Sequence, residues 1–325
     1  QALARQAEAL CTVVPPEADP LLRDWAGKLA AQTAAAQADL LLMAPWMRVV
    51  QEYVIDSSLT RIPTLRELAG FGMKAPGDDL APEERARQLL LARLVAEGCV
   101  SARARLQEIA QLARDARACA DMDFRFLYND DTGLLALGYH VAERRLDAAS
   151  LDLLASEARL ASFVGIAQGQ LPQEHWFALG RQLCLAHGQQ LLLSWSGSMF
   201  EYLMPLLVMP TYRDTLLDQS CRGIVRAHAE YGRRRNVPWG ISESGYNAVD
   251  AALNYQYRAF GVPGTGAKRG LGEDLVVAPY ATMMALMVEP RACANLERMA
   301  KLGFTGRYGF YEAVDYTPAR VPDGQ

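Results

Sequence analysis

Apolar positions recur every three or four places along residues 1 to about 120. Leu22, Trp25, Leu29, Ala36, Leu40 and Met43 follow helical spacing, as do Leu106, Ile109, Ala113 and Ala116. The pattern breaks at Ile62-Pro63 and at residues 74–79, where Pro, Gly and paired Asp punctuate a loop. Pro82, followed by Glu83 and Glu84, opens a further helix. A fixed proline φ suits the first helical position, and acidic side chains suit the positive end of the helix dipole. Residues 1–120 are thus predicted to be a lead-in of amphipathic helices that carries little chemistry.

The texture changes from Asp121 onward. Residues 124–128, the polar run Asn129-Asp130-Asp131-Thr132-Gly133 and residues 134–139 predict a short β-hairpin around a turn. Residues 150–167 predict a helix capped by Ser150. Further on, apolar helical segments alternate with loops dense in Gly, aromatic and polar residues, at 194–201, 237–247, 255–274 and 307–316. Helical walls with such loops gathered at one end describe a toroid with a concave site, spanning residues 121–325. No GxGxxG follows a strand and no phosphate-binding loop occurs, so a nucleotide fold gains no support.

Composition narrows the class further. Apolar residues make up 51% and charged residues 22%, the balance of a globular protein. A formal net charge of −4, with no dense run of Lys and Arg, gives no footprint for nucleic acid and leaves neutral partners such as sugars open. No stretch approaches the roughly 18–20 apolar residues of a membrane span, and residues 202–209 are interrupted by Pro205. The chain opens on Gln1 with no signal peptide and tails off from Val321 in linker-like sequence, so it reads as a segment of a longer protein, itself soluble. Six cysteines without a CxxC pair read as core fillers rather than zinc ligands or disulfides. His140, His175, His187 and His228 stand in unrelated contexts, so neither a metal site nor a nucleophilic triad is expected, and no cofactor is implied.

Two acids stand out. On the helix predicted over 150–167, Asp152, Ser156 and Arg159 form the polar stripe, and Glu157 falls roughly 130° from its centre. It shares a face with Leu153, Leu154, Leu160, Ala161 and Val164. A carboxylate there is costly unless paired or working, so a structural ion pair and a catalytic acid fit it equally. Glu243 lies in Pro238-Trp239-Gly240-Ile241-Ser242-Glu243-Ser244-Gly245-Tyr246-Asn247. Trp239 and Tyr246 offer flat faces to a pyranose, and Ser242 and Asn247 offer hydrogen bonds to its hydroxyls. Cleaving a glycosidic bond takes two carboxyl groups, one to protonate the departing oxygen and one to attack or to activate water. Asp130, Asp131, Glu201, Asp274 and Glu312 (beside Tyr311) compete for these jobs, although an Asn-Asp turn also has backbone reasons for its acids. The pair Lys268-Arg269 fits sugar contact and a solvated face equally well.

Residues from about 121 to the end resemble the glycoamylase-like domain of cyclic β-1,2-glucan synthases. The motifs that carry the likeness are Phe126-Leu127-Tyr128-Asn129 with Thr132-Gly133-Leu134, Ser156-Glu157-Ala158-Arg159-Leu160-Ala161-Ser162, Leu193-Ser194-Trp195-Ser196-Gly197 and Met199-Phe200-Glu201-Tyr202-Leu203-Met204-Pro205. They continue with Trp239-Gly240-Ile241-Ser242-Glu243-Ser244, Asn254-Tyr255-Gln256-Tyr257 and Gly309-Phe310-Tyr311-Glu312-Ala313-Val314-Asp315-Tyr316. The resemblance implies an all-α, (α/α)6 barrel with the helical lead-in as an extension. It implies an anomer-retaining transglycosylase that cyclises linear β-1,2-glucan, with Glu157 as nucleophile and Glu243 as acid/base. Trp195, Trp239, Tyr246, Tyr255 and Tyr257 are the candidates for holding the chain, joined by Asp131, Arg159, Ser196, Ser242, Asn247, Arg269, Asp274, Tyr311 and Glu312. It further implies a larger synthase at the cytoplasmic face of a bacterial inner membrane, with glycosyltransferase and phosphorylase-like regions as partners. Two rivals share the sequence: an endo-β-1,2-glucanase on the same fold, and a catalytically idle glucan-binding domain.

Overall fold

The computed structural model describes residues 2–49, 63–73 and 80–321, so the loop expected at 74–79, with Ile62 and the last four residues, lies outside the described part. The chain divides into two compact units, Gln1–Met122 and Asp123–Gln325.

The first unit is helical throughout its described residues, with α1 (Ala2–Val13), α2 (Pro20–Met43), α3 (Leu65–Ala69) and α4 (Pro82–Ala120). Asp19 caps α2 by accepting the Leu21 N–H. Thr64 and Glu67 form a reciprocal capping box that makes the five-residue α3 viable despite its length. Pro82, Glu83 and Glu84 sit in the first turn of α4, as their chemistry predicts. The core of this unit is small, built on Trp46, Leu68, Val95, Cys99 and Ala102. Gly98 is required there: a Cβ on it would stand 2.5 Å from the Met43 carbonyl and 2.9 Å from the Trp46 ring.

The second unit combines helices with short antiparallel ladders. It opens with β1 (Tyr128–Asn129), β2 (Leu134–Ala136), β3 (Tyr139–His140), β4 (Arg145–Leu146) and β5 (Ser150–Leu151), then α5 (Arg159–Ala167) and α6 (Glu174–Ala178). There follow β6 (Leu183–Ala186), β7 (Gln189–Leu192), α7 (Met199–Leu203), α8 (Leu216–Arg235), β8 (Ser244–Val249) and β9 (Tyr255–Arg258). The chain ends with β10 (Val276–Val277), α9 (Pro279–Ala285), α10 (Ala292–Lys301), β11 (Thr305–Gly306), β12 (Gly309–Phe310) and β13 (Val314–Asp315).

The predicted hairpin is present as β1 paired with β2, Tyr128 opposite Leu135, with the turn closed by Asn129 accepting from Asp131 and Thr132. Sheet content exceeds that one hairpin. Among the described residues there are five further two-stranded ladders, and β5 adds a third strand beside β2. Ladder β6–β7 turns on His187 and Gly188, both at positive φ (51° and 74°), the pairing that a two-residue hairpin turn demands. Ladder β8–β9 occupies what reads in the sequence as polar loop.

The helix expected over 150–167 is corrected. Ser150 caps nothing: it pairs with Ala136 in the β2–β5 ladder, and α5 begins only at Arg159. Glu157 therefore stands in the turn ahead of the helix, not on a helical face. Long-range strand pairing overrides the local helical period here.

The main core gathers Leu154, Leu192, Met199, Tyr202, Ile224, Ala281 and Ala285, and a second cluster gathers Tyr231, Ile241, Val262, Val276, Met299 and Phe304. Helix α8 lies between them, capped by Thr215 and ended by Asn236 in the left-handed region (φ 56°). All six cysteines are free; Cys99 and Cys221 are buried and Cys184 half-buried, but Cys11, Cys119 and Cys293 lie on the surface rather than in the core. Among the described residues no helix is long and apolar enough to cross a membrane.

Candidate active site

Four segments distant in sequence are stitched together beside the main core. Ala155 bridges to Ser194, and Ser194 bridges in turn to Gly266. Lys268 donates to the Trp195 carbonyl (2.8 Å), and Met199 donates to the Ile241 carbonyl (3.0 Å). The backbones run so close that a Cβ on Gly261 would sit 1.8 Å from the Ser196 carbonyl oxygen. His228, wholly buried, pins two of the segments. Its Nδ1 accepts from the Ile241 N–H (3.1 Å), so its Nε2–H donates to the Gly197 carbonyl (3.2 Å). Burial holds this imidazole neutral, with a pKa lowered to about 3.

Glu157 emerges from the first of these segments. Its carboxylate accepts one hydrogen bond, from Ser156 Oγ at 3.4 Å. Among the described residues it forms no ion pair within 4 Å, so the structural-pair reading of this acid finds no partner. The neighbouring cation is Arg159, only 3% exposed, whose guanidinium donates to the carbonyls of Ser156 (2.9 Å), Glu201 (2.8 Å) and Tyr202 (2.6 Å). Desolvation lowers the Arg159 pKa, and the Glu157 charge is among the groups that oppose the shift. Arg159 is thus a buried positive charge bonded to backbone carbonyls, and it feels the Glu157 charge without an ion pair within 4 Å.

Glu201, a competing acid in the sequence, is fully occupied. It accepts from Trp195 N–H, Ser196 N–H and Oγ–H, Ser194 Oγ–H, and Ser198 N–H and Oγ–H, at 2.8–3.1 Å. It also closes the capping box of α7 with Ser198. These bonds leave it no free lone pair for a substrate. Its work is to hold the Trp195 loop.

Glu243 stands just before β8, half-buried. Tyr257 on β9 donates to its Oε2 (3.3 Å), and Tyr280 on α9 donates to its backbone carbonyl (2.8 Å). Its pKa is raised, first by burial and then by the charge of Glu157, with the Tyr257 hydrogen bond working in the opposite sense. The two sequence-predicted glutamates are therefore brought within electrostatic reach of each other, from segments that share no local structure. One carboxyl is pushed toward its protonated form, and the charge of the other is felt by the buried Arg159.

The remaining predicted residues divide. Trp195 presents its ring to solvent (62% exposed) one residue after the Ser194 bridge, and Ser196 is buried as a Glu201 donor. Trp239 is half-buried against the main core, and its carbonyl accepts from Thr282 and Asn295. Ser242 is buried, its Oγ accepting from the Phe200 N–H. Tyr246, Asn247, Tyr255, Tyr311 and Glu312 line one cavity of ≈ 370 Å³ with Gly245, Ala313 and Asp315. Asp274 belongs elsewhere: it is nearly buried in ion pairs with Arg258 (3.1 Å) and Arg320 (2.7 Å), bracing the β8–β9 ladder. Asp131 stays in its exposed turn and Arg269 on the surface, neither bonded to either glutamate. Sequence reasoning missed Tyr280 and His228. Both lie on helices, Tyr280 in an apolar run and His228 among polar neighbours, and only the tertiary structure reveals what their polar atoms reach.

Glu243, its pKa raised in part by the charge of Glu157, and Tyr257, whose exposed ring stands beside it, form the candidate centre. The profile of the Glycoamylase family, described as putative glucoamylase, matches residues 151–323, more than half of the chain, and the chain belongs to that family. Over 224 residues it is 50% identical to the cyclic beta-(1,2)-glucan synthase NdvB of Rhizobium meliloti (strain 1021), a match that covers 69% of this chain. The chain spans 8% of the length of that relative. A crystal structure of a putative glucoamylase from Bacteroides uniformis ATCC 8492 shares 14% identity at a TM-score of 0.42, over 78% of this chain and 57% of that one. The resemblance read from the motifs is borne out by the family match and by the synthase relative.

Proposed function

We propose that this chain is an anomer-retaining transglycosylase that closes linear β-1,2-glucan into cyclic β-1,2-glucan, as one domain of a larger synthase and on an (α/α)6 barrel. The observation that carries the reading is the electrostatic pairing of Glu157 and Glu243, with Glu243 pushed toward the protonated state. In the first half-reaction Glu243 gives its proton to the departing glycosidic oxygen while a Glu157 oxygen bonds to the anomeric carbon and the glycosidic bond breaks. In the second, the 2-hydroxyl at the far end of the same chain bonds to that carbon, the ester to Glu157 breaks, and the hydroxyl proton returns to Glu243. Each step inverts the anomeric centre, so the linkage stays β.

Arg159 supports Glu157 as the charged partner, and Tyr257 steadies Glu243 when it serves as the base. Exposed Trp195, Tyr255 and Tyr257 supply stacking faces that hold the chain and exclude water from the intermediate. That the chain spans 8% of its synthase relative supports a larger whole, in which glycosyltransferase and phosphorylase-like regions at the cytoplasmic face of an inner membrane are the expected partners. Linear glucan is the expected donor, and UDP-glucose is not expected to bind here.

Incubation with linear β-1,2-glucan followed by mass spectrometry tests this. Products lighter by one water than linear chains of equal length are expected. Linear fragments with new reducing ends would transfer the second step to water and make the chain an endo-β-1,2-glucanase. Unchanged substrate would leave a glucan-binding role.

A further inference from the structure

The cavity beside Glu243 carries more than the two-glutamate chemistry uses. Its walls come from β8, from β9 and from residues 311–315, and two hydrogen bonds tie β8 to the last of these: Gly245 N–H donates to Glu312 Oε1 at 2.7 Å and Asn247 N–H to Asp315 Oδ2 at 3.1 Å. Gly245 is two residues past Glu243. Alternate residues of a strand share a face, so Tyr255, on the cavity, and Tyr257, on Glu243, extend from the same side of β9. The cavity therefore adjoins the segment that carries Glu243.

Its polar inventory is uneven. Asp315 is spent: its oxygens accept from Asn247 N–H, Thr317 N–H and the Arg320 guanidinium. The Asn247 amide already donates to the Arg320 carbonyl. Of the cavity's two acids, Glu312 keeps an oxygen, Oε2, with no donor among the described residues, while its exposed neighbour Tyr311 and Tyr255 (71% exposed) flank the space with rings. At ≈ 370 Å³ the cavity lies at the small end of ordinary ligand sites, about 300–1,000 Å³, so it takes a short terminal stretch rather than a length of chain.

We infer that Glu312 is the specificity-determining residue of the acceptor site. Its Oε1 fixes the Gly245 backbone and hence the acid/base loop. Its Oε2 accepts a hydrogen bond from a hydroxyl of the terminal glucosyl unit, which holds the attacking 2-hydroxyl in place of water. The inference rests on the transglycosylase reading but assigns the choice between transfer and hydrolysis to one carboxylate that takes no part in bond breaking.

Two variants test it. Glu312→Gln keeps an oxygen for Gly245 N–H and turns the cavity-facing acceptor into a donor; Glu312→Ala removes both. The assay measures the ratio of transfer products to new reducing ends from linear β-1,2-glucan. The ratio is expected to fall roughly tenfold in Glu312→Gln, the weight of one hydrogen bond to a charged group, and further in Glu312→Ala. A residue that merely held the fold would lower both products together, and an unchanged ratio in Glu312→Gln overturns the assignment. Calorimetric binding of a β-1,2-linked glucose disaccharide, in a Glu157→Gln background, separates this from the parent reading. Affinity that drops about tenfold on adding Glu312→Gln sustains the acceptor site even if the wild type turns over nothing. Affinity indifferent to Glu312 removes it even if the wild type cyclises.

Discussion

Replacing Glu201 examines whether the Trp195 loop hangs on one buried carboxylate. Three of its donors are backbone N–H groups, of Trp195, Ser196 and Ser198, and three are serine hydroxyls that can rotate to other partners. Glu201→Ala strands the three N–H groups, at about 1–3 kcal/mol each, or about 3–9 kcal/mol in all. That is comparable with the whole stability of a domain, about 5–15 kcal/mol. Glu201→Gln has a milder outcome that the geometry specifies. Its oxygen turns to the Oε1 position, where it keeps Trp195 and Ser196 N–H. Its NH2 then faces the Ser198 N–H, donor against donor, while the hydroxyls adapt. One stranded N–H and the lost charge assistance come to about 2–3 kcal/mol. For a unit of this size that lowers Tm by about 5–10 °C. Urea melts with an unchanged slope, followed by Trp fluorescence, measure it. A Glu201→Gln variant that melts within about 1 °C of wild type would refute the role of the charge as the hub of this loop.

Three further outcomes follow from the same geometry. Tyr257→Phe removes the one hydrogen bond that favours ionised Glu243, so the Glu243 pKa rises further. The alkaline limb of the pH–rate profile, where activity is lost as the acid deprotonates, should move to higher pH; a limb that stays or moves down contradicts the assignment. Gly261→Ala drives a Cβ into the Ser196 backbone and should cost about 3 kcal/mol or more in chemical denaturation, whereas Gly27→Ala, in open space on α2, should gain about 0.5–1 kcal/mol. Thiol labelling near pH 8 should modify Cys11, Cys119 and Cys293 quickly. Cys221, buried and with its pKa pushed up to about 11, should react only on unfolding.

The parts of the fold written locally were legible. Helices α2 and α4 follow from apolar spacing, α4 also from Pro82 at its start, and the β1–β2 hairpin follows from the Asn129–Gly133 run around its turn. What depends on distant partners was not. Ser150 reads as a helix cap until β2 is there to pair with it. The β6–β7 ladder hides in an apolar run whose turn, His187-Gly188, gives a weak signal.

The site shows the same divide. The position of Glu157 off a helical stripe rests on a helix that does not extend that far, so periodicity singled out this acid on a false premise; the motif around it survives independently. Glu243 was legible through Trp239, Tyr246 and Asn247 beside it. Glu201 and Asp274 look as eligible in sequence. Only their partners, six donors in one case and two arginines in the other, mark them as structural.

Azide rescue of the two glutamates tests the central claim most directly. Each of Glu157→Gly and Glu243→Gly is supplied with azide and an aryl-activated β-1,2-glucan donor, and the anomeric configuration of the glycosyl azide is read by NMR. If Glu157 is the nucleophile, its loss lets azide attack directly and gives the α-azide. If Glu243 is the acid/base, its loss lets azide intercept the glycosyl ester on Glu157 and gives the β-azide. The reverse pattern, or no azide product from either folded variant, would contradict the account.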